Sequence, residues 1–198
     1  MSNNKNKLYL FIQNMLLTKT LCRDVLEIII DKYIIDNVTL EDACLDNWFF
    51  AVDLLISKGY KINITHMLIV CEKGYFDLVK FFNENWGYIS DDDCMDDSIN
   101  NPIDIASAYG YLDIVKYLVE NRRKHIRFNK WRCSTSAINY ACEGGHLEII
   151  KYLYSKNVHG TNDAFENAFT KNHIHIINWL NENMSRYYNS YIDRNFYF

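Results

Sequence analysis

Gly110-Tyr111-Leu112-Asp113-Ile114-Val115-Lys116-Tyr117-Leu118 and Gly145-His146-Leu147-Glu148-Ile149-Ile150-Lys151-Tyr152-Leu153 are one pattern written twice. A third copy runs from Gly74 to Phe82, and two weaker ones start at Asn47 and Asn172. The five anchors, 47, 74, 110, 145 and 172, are 27, 36, 35 and 27 residues apart. Self-similarity at a period of roughly 20–50 residues is the signature of stacked repeat architectures.

After each anchor, apolar residues recur two, four, five and eight positions on: Phe76, Leu78, Val79 and Phe82; Leu112, Ile114, Val115 and Leu118; Leu147, Ile149, Ile150 and Leu153. That spacing makes one stripe of a helix. Offsets three and six carry opposite charges (Asp77 with Lys80, Asp113 with Lys116, Glu148 with Lys151) and belong on the wet side. A second helix is predicted before each anchor. Four residues back stand Ala43, Val70, Ala106, Ala141 and Ala168, small enough for helices to approach closely. Seven back stand the core residues Leu40, Met67, Ile103, Ile138 and Phe165. Nine back, Thr65, Asn101, Ser136 and Asp163 are the expected N-caps. Pro102 follows Asn101 at the first helical position, and Asp163-Ala164-Phe165-Glu166 is similar to a capping box. The anchor turns the chain between the two helices.

A pair of short antiparallel helices cannot bury its apolar face alone, whereas stacked neighbours can. The prediction is therefore an all-α helical-hairpin solenoid of about five repeats. Asn101-Pro102-Ile103-Asp104 resembles the opening Thr-Pro-Leu-His of the ankyrin repeat. Ala141-Cys142-Glu143-Gly144-Gly145-His146 resembles its turn, and Lys58-Gly59-Tyr60-Lys61-Ile62-Asn63 its closing element. The resemblance covers residues 37–183, although only one copy has the proline. The degenerate style, rich in Asn, Ile, Lys and Tyr, is similar to the ankyrin arrays of giant amoeba-infecting DNA viruses. Repeats are expected at 37–63, 64–99, 100–134, 135–161 and 162–183. They lie between an N-terminal helical cap at 1–36 (helices over 8–17 and 21–35) and a C-terminal cap or tail at 184–198, rich in Tyr and Phe.

The resemblance implies a protein-binding scaffold that uses hairpin tips and inner helices. The family's exposed inner positions are the two residues before each anchor: Leu45 and Asp46, Glu72 and Lys73, Ala108 and Tyr109, Glu143 and Gly144, Thr170 and Lys171. Its hairpin tips correspond here to Asp97, Ser98, Arg132 and Cys133. The closing loops of the second and third copies are eight or nine residues longer than the others. One carries Asp91, Asp92, Asp93, Asp96 and Asp97; the next carries Arg122, Arg123, Lys124, Arg127, Lys130 and Arg132. As insertions at one point of consecutive repeats they are expected to be neighbours on one face, where opposite charges steer a charged partner. The partner-binding set is thus Glu72, Lys73, Asp97, Tyr109, Arg122, Arg123, Arg132, Glu143 and Lys171. Tyr109 and Arg132 lead it, because aromatic and Arg side chains dominate interface energy. Leu21-Cys22-Arg23-Asp24-Val25-Leu26-Glu27-Ile28-Ile29-Ile30 is similar to the start of an F-box helix, which implies the alternative role of substrate adaptor for a ubiquitin ligase.

Other classes find less support. The net charge of −4 gives no general pull toward nucleic acid, and the acidic loop offsets the basic one. No stretch approaches the roughly 20 apolar residues of a membrane helix. Residues 8–17 read as a helix and not as a signal peptide. The six cysteines form no Cys-x-x-Cys pair, and Cys44, Cys71 and Cys142 share one repeat position, so core thiols in a cytoplasmic compartment (host cytoplasm for a viral chain) are expected. His173 and His175 are two apart, not the four a metal-binding helix prefers. The aspartate cluster lacks calcium-loop spacing. There is no glycine-rich phosphate loop or nucleophile elbow. The expectation is a monomer without enzymatic activity, metal or cofactor.

Overall fold

The computed structural model describes residues 28, 38–85, 101–121 and 134–195, the stretch 185–195 as backbone only. The two N-terminal helices with the F-box-like segment, both charged loops, all four hairpin-tip residues and residues 196–198 lie outside the described residues. The chain divides into two compact units, Met1–Tyr60 and Lys61–Phe198.

In the first unit, α1 (Leu40–Leu45) and α2 (Phe49–Ser57) form a hairpin. Thr39 and Asp42 close a capping box at its start. Leu40, Ala43, Cys44, Val52, Leu54 and Leu55 are buried.

The second unit holds four hairpins: α3 (Ile64–Glu72) with α4 (Phe76–Glu84), α5 (Pro102–Ala108) with α6 (Leu112–Asn121), α7 (Thr135–Gly144) with α8 (Leu147–Ser155), and α9 (Asn162–Thr170) with α10 (Ile174–Asn195). The first helices α3, α5, α7 and α9 pack one on the next as an inner layer. The second helices α4, α6 and α8 form an outer layer. This is the helical solenoid that the repeat predicts. The core follows the register. Met67, Ile103, Ile138 and Phe165, and Val70, Ala106, Ala141 and Ala168, are buried between inner helices; Leu78, Val79 and Phe82 and their counterparts are buried beneath the outer ones. Phe76, Leu112 and Leu147, at the start of each outer helix, are only half-buried.

The helix starts correct the sequence reading. Only Asn101 caps where expected, its Oδ1 accepting from Ile103 N and Asp104 N. Thr65, Ser136 and Asp163 lie inside their helices, and the N-caps are Asn63, Ser134 and Thr161, two residues earlier. The capping box read at Asp163–Glu166 is not formed; the Thr161 side chain accepts from Asp163 N instead. A box forms at Asn63 and His66. Pro102 explains the offset. The residue before a proline is driven into extended backbone, so Asn101 cannot join a helix and α5 starts late. The second, fourth and fifth copies, which have no proline, start their helices two residues earlier, whereas the first, capped by Thr39, starts one residue later.

All five anchors have positive φ: Asn47 53°, Gly74 73°, Gly110 85°, Gly145 85° and Asn172 59°. Glycine adopts this region without cost, and asparagine is the side chain that tolerates it best. A second constraint acts on the interior anchors. A Cβ on Gly74 would meet the Tyr111 ring, one on Gly110 would lie 2.5 Å from His146 Cε1, and one on Gly145 2.9 Å from His173 Cε1. Tyr111, His146 and His173, each following its own anchor, lay their rings over the previous copy's anchor glycine. His146 Nε2 donates to the Ala108 carbonyl and His173 Nε2 to the Glu143 carbonyl, both at 3.0 Å. These rings are the couplings between layers.

Buried polar joints tie the layers at their other end. Asp104 Oδ1 accepts from the Ser134 hydroxyl and Oδ2 from Asn101 Nδ2, both at 2.8 Å. One copy later, Asn139 donates to Thr161 Oγ1 at 2.7 Å and accepts from Thr161 N at 3.0 Å. Burial pushes the Asp104 carboxyl above its ordinary value of 3.8, outweighing the hydrogen bonds from Ser134 and Asn101 that favour the anion. A carboxyl raised in the folded state holds its proton longer there. Its contribution is fully present below the unfolded value and is lost as pH rises through the folded one. Asp104→Asn places the amide that already fits at Asn139, and removes that loss. The unfolding free energy of the variant minus that of the native protein should therefore increase as pH rises above the ordinary carboxyl value of 3.8, measured by urea titration. A pH-independent difference would show that Asp104 does not titrate as its burial dictates.

Candidate functional site

The two residues before each anchor form one row along the second unit. At its far end Lys171 Nζ lies 3.4 Å from Glu143 Oε1, bridging consecutive copies, and Gly144 lies against the Ala108 carbonyl. At the near end Glu72 and Lys73 pair with each other at 3.4 Å. Lys73, Tyr109, Glu143 and Lys171 are exposed and Glu72 is half-buried. The structure thus brings together five of the nine predicted site residues. Asp97, Arg122, Arg123 and Arg132 lie outside the described residues.

Between those two ion pairs stands Tyr109, the C-cap of α5, 51% exposed. Its backbone N–H donates to the Ile105 carbonyl, and no side-chain hydrogen bond or ring contact is seen between it and the described residues. The aromatic side chains of the outer layer differ. Tyr117 meets Phe76 edge-on at 5.6 Å, and Trp179 meets Tyr154 at 5.4 Å. Tyr152 donates to Glu120 and lies between Lys116 and Lys156, their Nζ atoms 5.8 and 5.3 Å from its ring centre. Those rings join one layer to the next, while Tyr109 is presented outward.

The sequence reading missed part of the face. Ile69, Ile105 and Tyr140, five residues before their anchors, are half-buried. They stand three and four residues before the row, hence on the same helix face. They give the row an apolar edge. Their signal was a large apolar or aromatic residue recurring at that offset in copies two, three and four.

Residues 103–154 match the family model for ankyrin repeats (many copies). That stretch is similar to ankyrin repeats. The matched stretch holds the third and fourth copies, where the Asp104–Ser134 joint and the His146 ring sit. A stretch of 111 residues is also 32% identical to alpha-latrotoxin-Lh1a of Latrodectus hasselti, covering 52% of this chain and 7% of that toxin. In the helical repeats Cys44, Cys71 and Cys142 are buried, free thiols. Burial pushes Cys44 and Cys142 up to about 12 and Cys71 higher still. A thiol that far above neutrality is a packing residue and not a nucleophile. His173 and His175 meet edge-on, ring centres 6.0 Å apart, while His173 Nε2 is committed to the Glu143 carbonyl. Among the described residues no three His, Cys, Asp or Glu side chains converge as metal ligands, and no helix is long and apolar enough to cross a membrane.

Proposed function

We propose that the protein is a non-catalytic scaffold that binds a partner protein through the row Glu72, Lys73, Tyr109, Glu143 and Lys171 and the apolar edge of Ile69, Ile105 and Tyr140. Ankyrin repeats serve in general for protein–protein interaction. The carrying observation is Tyr109: a large aromatic, exposed, flanked on both sides by ion pairs along one continuous face. That is the anatomy of an interface, an apolar centre within a polar rim. The flanking charges are already compensated, so they contribute selectivity more than affinity. Asp97, Arg122, Arg123 and Arg132 on the two long loops extend the same function by steering a partner of matching charge. Residues 1–36 and 184–198 serve as terminal caps. The Asn-, Ile-, Lys- and Tyr-rich style supports a viral chain acting in a host cytoplasm.

Tyr109→Ala tests the reading. Truncating a central aromatic anchor typically costs about 2 kcal/mol or more, a weakening of about thirtyfold. Partner captured from cell extract on the immobilised protein should fall accordingly, with the melting temperature little changed because half of Tyr109 is exposed. Undiminished capture would move the binding site elsewhere.

A further inference from the structure

The layers of the second unit are not joined equally. Between the third and fourth copies the inner layer has two polar links. His146 Nε2 bonds to the Ala108 carbonyl at 3.0 Å, and the Ser134 hydroxyl to Asp104 at 2.8 Å. Between the fourth and fifth copies it has more. His173 Nε2 bonds to the Glu143 carbonyl, Asn139 pairs with Thr161 in both directions, Asn167 Nδ2 donates to the Asn139 carbonyl at 3.1 Å, and Lys171 meets Glu143.

Between the second and third copies both positions change chemistry. Leu68 stands where Asp104 and Asn139 stand, six residues before the anchor, and its side chain can neither donate nor accept. Tyr111 stands where His146 and His173 stand. Its ring lies over Gly74, but a phenol has no ring nitrogen to offer the Glu72 carbonyl. Among the described residues no inner-layer hydrogen bond or ion pair joins these two copies. Apolar packing of α3 on α5 remains, with an outer-layer link from Asn83 Nδ2 to the Tyr117 hydroxyl at 3.4 Å and the edge contact of Phe76 with Tyr117.

We propose that the second unit opens reversibly at this plane, α3 and α4 unfolding as one segment while the third to fifth copies stay folded. One hairpin cannot bury its apolar face alone, so a copy that loses its neighbour unfolds, and an array opens where neighbours are least coupled. The polar links decide the place, because one net hydrogen bond shifts an opening equilibrium about two- to tenfold. Glu72 and Lys73 end α3, whereas Tyr109, Glu143 and Lys171 lie beyond the plane. Opening therefore removes one end of the row, and a partner that spans the plane holds it shut. That consequence rests on the binding function proposed above; the opening itself does not.

Native-state amide hydrogen exchange on the full chain, with no partner added, tests the opening. Opening equilibria are compared at buried positions, Val70 and Val79 on one side and Ile114, Val115, Ala141 and Ile150 on the other. The first two should open at least about tenfold more often than the other four. His146→Phe keeps a ring over Gly110 and removes the nitrogen. It should raise opening about two- to tenfold at Ile114, Val115, Ala141 and Ile150, and leave Val70 and Val79 unchanged, because their opening does not break that link. Equal opening on both sides in the native protein, or a His146→Phe effect shared by Val70 and Val79, would mean a single cooperative array and overturn the proposal. No effect of His146→Phe anywhere would overturn it too, because the polar links would then not decide where the array opens.

Discussion

Gly110→Ala is expected to destabilise the protein by about 2–4 kcal/mol, far more than a methyl group on an ordinary turn. Two effects add. Gly110 has φ 85°, and a left-handed conformation costs an L-residue with a Cβ about 1–2 kcal/mol. The new methyl would also lie 2.5 Å from His146 Cε1 and 2.7 Å from Nδ1, so the ring must leave. That sacrifices its hydrogen bond to the Ala108 carbonyl, worth about 0.5–1.5 kcal/mol, together with its packing on the previous layer. Urea unfolding in a double-mutant cycle separates the two. In a His146→Ala background, Gly110→Ala should cost only the backbone contribution, about 1–2 kcal/mol. The same cost in both backgrounds would show that the ring does not couple the layers.

Ala106→Leu and Ala141→Leu are the second pair. Both alanines are fully buried in inner helices, where α5, α7 and α9 pack in succession. A leucine adds three carbons where the neighbouring helix leaves no room. Overpacking of this kind costs about 1–3 kcal/mol per site, or roughly 2–12 °C in melting temperature for a chain of this size. The sites are two layers of one register, so both should respond similarly. An unchanged midpoint in either variant would mean that the small residue is not what sets the helix spacing.

Much of this was legible in the sequence because repeat architectures write each structural demand several times. The left-handed anchors, the close-approach alanines, the large core residues and the buried cysteines each recur at a fixed offset, and recurrence separates signal from accident. The N-caps were misplaced because the copy with the clearest start, Asn101-Pro102, is the exceptional one. Its proline delays the helix by two residues, and transferring that register to Thr65, Ser136 and Asp163 was the error. The ring-over-glycine contacts had a signal that was not used: Tyr111, His146 and His173 all follow their anchors. Their partner belongs to the preceding copy, and a pattern read within one copy does not reveal a contact between two. The Asp104–Ser134 and Asn139–Thr161 joints were hidden for the same reason, spanning 30 and 22 residues. For the binding face the offsets placed the row, but that Tyr109 is half exposed, while Tyr117 and Tyr152 are engaged by neighbours, is a three-dimensional fact.

A photo-crosslinking amino acid placed at position 109 tests the central claim most directly, compared with the same amino acid at Lys116 on the exposed outer helix. Residue 109 is predicted to form a partner adduct, resolved by mass, and residue 116 to form none. Adducts at 116 without any at 109 would place recognition on the outer layer and contradict the inner-face account.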